Sequence, residues 1–272
     1  MKINTSLSLA SLLASVWVAP VPAESAWRHE EIRRFPAPEA RQGVAADERF
    51  LYVISNTAIG KYDKSTGHRV ATWFCPEGEP LIHLNAGVVK NGELWCAHSN
   101  YPGVPMLSSI ERWNPRTLQP SGSHSFGRFA GSLTWVDQDA TGNWFGFFAH
   151  YGNRAAEPGK DPSWSMLVQF DDAWQPVQSW SMPAELLEKF DRYSSSGGAF
   201  GPDGLLFMTG HDHPELYVMA FPEAGSTLRL VDTIAISAEG QAFCWDPRDD
   251  TILYSILKRT REVIVSRITR TP

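Results

Sequence analysis

Cysteine is scarce. Cys75, Cys96 and Cys244 are the only three in 272 residues, and no CxxC is formed. One disulfide at most is possible, which excludes a disulfide scaffold and makes packing inside strands the expected role of all three. Apolar runs long enough to span a bilayer are absent, so no membrane insertion is expected of the mature chain. Positive charge is also short: 24 Lys and Arg against 30 Asp and Glu give a net charge of −6. That balance argues against a nucleic-acid partner, which needs basic surface to match phosphates. Charged residues make up only 20% of the chain and hydrophobic residues 43%, too apolar for disorder. The 21 glycines and 19 prolines follow neither a collagen nor a heptad period. With 12% aromatics, they indicate many short strands separated by turns.

The N-terminus has the form of a secretory leader. Lys2 is followed by an apolar stretch from Leu7 to Val18, and Val21-Pro22-Ala23 places small residues before a cleavage point. Residues 1–23 are therefore expected to be a signal peptide, with 24–272 forming one domain in the periplasm or outside the cell. No cysteine follows the apolar stretch, so a lipid anchor is not indicated.

Internal repetition is the main signal. Gly43–Ser55, Gly87–His98, Ser132–His150, Gly198–His211 and Gln241–Leu257 each read as a strand, a tight turn and a second strand. Asn91-Gly92 and Asp203-Gly204 are strong hairpin dipeptides, because type I′ turns need positive φ. Taking Leu51, Leu94, Gly146, Leu206 and Leu253 as equivalent points gives spacings of 43, 52, 60 and 47 residues. Four-stranded propeller blades repeat every ~40–45 residues. The two longer intervals are read as insertions at Arg154–Trp164 and Glu185–Ser196, the second with a short helix over Pro183–Asp191.

Each unit continues into further strands, as in Ile59–Tyr62 and Val70–Phe74, or Ser109–Trp113 and Ser121–Phe126. The fifth supplies only three, and His29–Phe35 is available to complete it, which would remove the exposed sheet edges. The expected fold is all-β: a five-bladed β-propeller of four-stranded antiparallel blades, the last closed by the N-terminal strand. Before several turns an aromatic residue precedes Asp or Asn, as in Tyr62-Asp63, Trp113-Asn114 and Phe170-Asp171. This pattern resembles the YVTN and NHL-type propeller repeats, and the resemblance implies architecture without an activity.

In an antiparallel blade the start of the first strand and the end of the second share an edge. Five of the eight histidines map to that edge: His83, His98, His150, His211 and His213. Pairing about Asn91-Gly92 sets Asn85 opposite His98, and pairing about Asp203-Gly204 sets Ser196 opposite His211. Gln42 and Gln241 begin first strands on the same face, and Tyr101, Tyr151, Arg154, Lys258 and Arg259 lie in its loops.

Three readings of this face remain open. In the first, His98, His150 and His211, with His83, His213 and Gln241 in reserve, bind a divalent transition metal, zinc or manganese being favoured. In the second, the histidines act as acids and bases without metal, Tyr101 or Tyr151 donates a proton, and Arg154 or Arg259 holds an acidic substrate. In the third, they satisfy loop backbone. The function that follows is a monomeric exported enzyme, a lyase, isomerase (cycloisomerases included) or hydrolase, acting on a small anionic or carbohydrate-like substrate. The alternative is a non-catalytic ligand- or protein-binding propeller, in which the loops around Tyr101 and Trp164 would carry the contacts.

Overall fold

The computed structural model describes residues 25–271 apart from Phe129, Asn153 and Arg154. The expected leader and Arg154 thus lie outside the described residues. The chain enters with β1 (Trp27–Pro36). Blade 1 follows as β2 (Gly43–Ala46), β3 (Phe50–Ser55), β4 (Ala58–Asp63) and β5 (Arg69–Phe74). Blade 2 is β6 (Leu84–Lys90), β7 (Glu93–Ser99), β8 (Ser108–Asn114) and β9 (Gln119–Gly127). Blade 3 is β10 (Ser132–Gln138), β11 (Trp144–Ala149), β12 (Met166–Phe170) and β13 (Pro176–Ser181). The helix α1 (Ala184–Phe190) leads to blade 4, with β14 (Gly197–Phe200), β15 (Leu206–Thr209), β16 (Glu215–Ala220) and β17 (Arg229–Ala235). Blade 5 has β18 (Cys244–Asp246), β19 (Asp249–Leu257) and β20 (Glu262–Arg270).

These strands form five four-stranded antiparallel sheets. In the last, β1 pairs with β20 from Trp27↔Arg270 to Pro36↔Glu262, so the N-terminal strand closes the ring. The turns obey local chemistry: Asn91 and Gly92 both hold positive φ, 54° and 77°, as a type I′ hairpin requires. Burial declines outward. The inner strand β2 is buried along its whole length and β10 all but its last residue, while β9 and β13 on the rim are mostly exposed. Inner strands therefore read as continuous apolar runs because neighbouring blades cover both of their faces.

The core is divided between blades. One apolar cluster joins blades 1 and 2 around Tyr52, Trp73 and Trp113. Another joins blades 3 and 4 around Trp135, Phe147 and Tyr217, and α1 adds Leu186 and Phe190 to it. Comparable clusters fill the other three junctions. Cys96 and Cys244 are buried in strands and Cys75 lies just beyond β5; all three are thiols. No helix among the described residues is long and apolar enough to cross a membrane.

The seam between the last blade and the first carries a buried ion pair, Lys64 Nζ to Asp246 Oδ2 at 2.9 Å. Burial alone would raise the Asp246 pKa, but Lys64, the Arg248 N–H and the Tyr254 hydroxyl outweigh it and hold the carboxyl below its ordinary range. Removing one partner strands a buried charge at a cost of about 3–5 kcal/mol. Lys64→Met is therefore expected to destabilise the fold by roughly that amount. Urea denaturation at pH 7 measures it, and a loss below about 1 kcal/mol, the level of an exposed ion pair, would show that the seam does not depend on this pair.

Candidate active site at the propeller mouth

All five blades contribute to a cavity of about 520 Å³ at the edge where first strands begin and second strands end. This lies within the ~300–1,000 Å³ range of small-molecule sites. Blade 1 gives Arg41, Gln42 and Asn56; blade 5 gives Gln241 and Lys258. Blade 2 gives His83, Asn85 and Tyr101, and blade 3 gives Thr134 and Tyr151. The segment after α1 delivers Arg192, Tyr193, Ser194 and Ser196, and His211 follows β15.

The expected candidates divide sharply. His83, His211, Gln241, Tyr101 and Tyr151 line the cavity; His98, His150, His213 and Arg259 do not. His98 is 9% exposed and held inside blade 2, Nδ1 2.9 Å from Ser109 Oγ, which in turn donates to Glu111. His150 is tied to its own neighbourhood. Its Nε2 donates to the Ala130 carbonyl at 2.7 Å, and its Nδ1 lies 3.2 Å from Glu157 Oε2. Burial is the main cause lowering its pKa, opposed in part by that carbonyl and by Glu157. His213 is exposed beyond the rim, and Arg259 pairs with Glu239 at 3.0 Å.

The structure does not bring His98, His150 and His211 together as one ligand set. The first two rings are committed inside separate blades, and among the described residues no three His, Cys, Asp or Glu side chains are placed to share an ion. The register explains part of the difference. β6 bulges between Leu84 and Gly87, so Leu84, not Asn85, faces His98. Freed from the ladder, Asn85 turns its amide to the Leu133 carbonyl of blade 3 at 2.9 Å. In blade 4 the turn is a short 3₁₀ segment with Asp203 at φ 61°, and Gly197 pairs with Thr209. That shifts the pairing by one residue, so Ser196 and His211 are not opposite.

His211 is positioned from two sides. Its Nδ1 lies 2.5 Å from Asp212 Oδ1, and its ring stacks on Tyr193 with centroids 3.9 Å apart and planes 11° apart. A carboxylate only accepts hydrogen bonds, so Nδ1 carries the proton and Nε2 is left as the proton acceptor. Across the cavity His83 packs on Tyr101 at 4.9 Å, and Tyr101 meets Tyr151 edge to face at 5.2 Å. Burial pushes the Tyr151 phenol well up, only partly offset by Ser132, so it remains protonated at neutral pH.

Arg41, Arg192 and Tyr193 were not singled out by the sequence. Arg41 precedes the noted Gln42, and the other two close the insertion after the helix; adjacency to the repeat edge was the available signal.

No protein-family model and no curated protein matches the sequence. Solved structures do share the shape. A luciferin-regenerating enzyme superposes with a TM-score of 0.52 at 12% identity, covering 89% of this chain and 95% of that one. The PQQ-bound aldose sugar dehydrogenase of Streptomyces coelicolor gives 0.49 at 12%, covering 91% and 99%. A gluconolactonase from Xanthomonas campestris gives 0.49 at 12%, covering 81% and 69%. At such identity the first likeness supports the propeller fold and nothing finer, and the other two carry no argument.

Burial, opposed only in part by the Pro80 carbonyl, lowers the His98 pKa from 6.5 to about 4. Between those values the unfolded chain takes up a proton that the folded chain refuses, so stability falls as pH drops through this window. His98→Gln is expected to make that fall shallower. Urea denaturation from pH 7.5 to 4.5 measures it; an unchanged slope would mean that His98 titrates in the fold as it does unfolded.

Proposed function

We propose that the chain is an enzyme acting on a small anionic substrate in the mouth cavity, with proton transfer at His211. The observation that carries this reading is the sign of the lining. Among the described lining residues the charged side chains are Arg41, Arg192 and Lys258, and there is no carboxylate. A concave site lined by one sign of charge concentrates ligands of the other. Arg41 and Arg192 are exposed and pair with no carboxylate among the described residues, which leaves their planar forks for a bidentate contact.

The chemistry follows from the dyad. Asp212 fixes the tautomer of His211, Tyr193 fixes its plane, and Nε2 is the base. Acid–base groups of this kind contribute ~10²–10⁴-fold to rate. Tyr151, kept protonated, serves as a donor, with Tyr101 beside it. Isomerases, lyases and hydrolases all use one such proton transfer. The same reading places the enzyme outside the cytoplasm, with residues 1–23 removed as a leader.

Three measurements test this. A panel of carboxylates and phosphates is expected to raise the Tm of the protein, and the paired substitution Arg41→Ala and Arg192→Ala to abolish most of the rise; a panel without effect overturns the anion site. For an anion that is turned over, His211→Asn is expected to lower kcat by ~10²–10⁴ while binding persists. Full kcat in that variant removes His211 from the chemistry, and binding without turnover in every assay assigns a non-catalytic binding propeller. N-terminal sequencing of the exported protein is expected to begin at Glu24; an intact Met1 in the soluble cell fraction overturns the leader.

A further inference from the structure

The cavity is divided by blade. Its cations come from blade 1 (Arg41), blade 5 (Lys258) and the entry to blade 4 (Arg192). These blades are neighbours around the ring, so the positive charge forms one arc. Blades 2 and 3 complete the circle with rings: Tyr101 and Tyr151 meet edge to face, and His83 packs on Tyr101. Amides lie among the cations, on blades 1 and 5. Gln42 donates to Asn56 across the β2–β3 edge, and Gln241 is 5% exposed at the start of blade 5.

Each part recognises different chemistry. The cationic arc suits a carboxylate or phosphate. The aromatic wall offers apolar area to a ring. Side-chain amides both donate and accept, which matches hydroxyl groups that do the same. A simple inorganic anion would use only the first arc, and a neutral sugar only the other two.

Resting on the anion-site reading above, we infer that the ligand is a hydroxylated ring carrying one anionic group, a sugar acid or a sugar phosphate. Its anion lies on the arc of blades 4, 5 and 1, and the C–H face of its ring lies on Tyr101. The charge end and the ring end are thus fixed on opposite sides of the mouth, which orients the ring relative to His211.

Isothermal titration of the exported protein with glucuronate, glucose 6-phosphate, glucose, benzoate and acetate tests the inference. Glucuronate or glucose 6-phosphate is expected to bind at least tenfold more tightly than glucose, benzoate or acetate, and which of the two wins separates carboxylate from phosphate. Arg192→Ala is expected to erase the advantage over glucose without changing glucose binding. Tyr101→Leu is expected to erase the advantage over acetate without changing acetate binding. Acetate or benzoate binding as tightly as glucuronate and glucose 6-phosphate overturns the hydroxylated ring and leaves the anion site standing. Glucose binding as tightly as both overturns the anion site as well, and so does a panel in which nothing binds.

Discussion

Five blades leave very little room at the axis, and the remaining features of the molecule follow from that crowding. A Cβ on Gly43 of blade 1 would sit 2.6 Å from the Ala242 Cβ of blade 5, and one on Gly197 of blade 4 would sit 2.5 Å from the Ala242 Cα. Gly240 is as constrained, since its Cβ would fall 2.3 Å from the Gly210 carbonyl. Only glycine, or alanine against glycine, fits such approaches. The inner strands therefore meet near the axis, and the cavity shared by all five blades opens at the mouth, where the strands begin. The polar groups of the site come from strand starts and from loops because the strand interiors are consumed by blade-to-blade packing.

The two ends of the inner strands carry opposite electrostatic duties. At the far end, first strands finish on acids that are fully employed. Asp47 accepts from the Tyr52 hydroxyl and from two backbone N–H groups. Asp137 accepts from the Phe200 N–H of the next blade and pairs with Lys90 of the preceding one at 3.4 Å. Asp246 holds Lys64 across the closing seam. Asp137 and Asp246 are spent in joining blades, and Asp47 in ordering the turn of its own blade. At the mouth the corresponding positions bear Gln42, Asn85 and Gln241, and the charged side chains that line the cavity with them are cationic. The net charge of −6 thus conceals a local excess of the opposite sign. Whole-chain charge argues against a phosphate-backbone partner but could not report the sign of a single cavity.

What the sequence made legible was whatever local chemistry decides. Asn91-Gly92, the inner apolar runs and the missing fourth strand of the last blade were enough for the ring, its blade count and its closure. Residue period also brought His83, His211, Gln241, Tyr101 and Tyr151 to one cavity. It failed at His98 and His150, because a strand-end histidine can turn toward the mouth or between blades, and tertiary packing makes that choice. Ser109 and the Ala130 carbonyl supply partners within the blades, and both rings took them. It failed at Asn85 because a bulge is invisible to a counting rule. Arg192 and Tyr193 escaped because the insertion that carries them has no repeat equivalent to be aligned with.

The same contacts that keep His98 and His150 out of the cavity lining hold the site in shape. Glu157 lies against His150 Nδ1, bonds Lys160 and accepts the Met106 N–H at 3.0 Å. Met106 belongs to the blade 2 connection that carries Tyr101, and that connection is closed on itself by Asn100, which accepts from the Leu107 N–H and donates to the Pro105 carbonyl. His150 and Glu157 thereby clip a blade 2 loop to blade 3, at the point where Tyr101 meets Tyr151. On the other side, α1 buries Leu186 and Phe190 in the core and so anchors the segment that presents Tyr193 beneath His211. Ordering a loop on binding costs free energy that is taken out of affinity. Here both walls are ordered by contacts that lie outside the cavity, so the binding energy of a small ligand is left for its own charge, hydroxyls and ring.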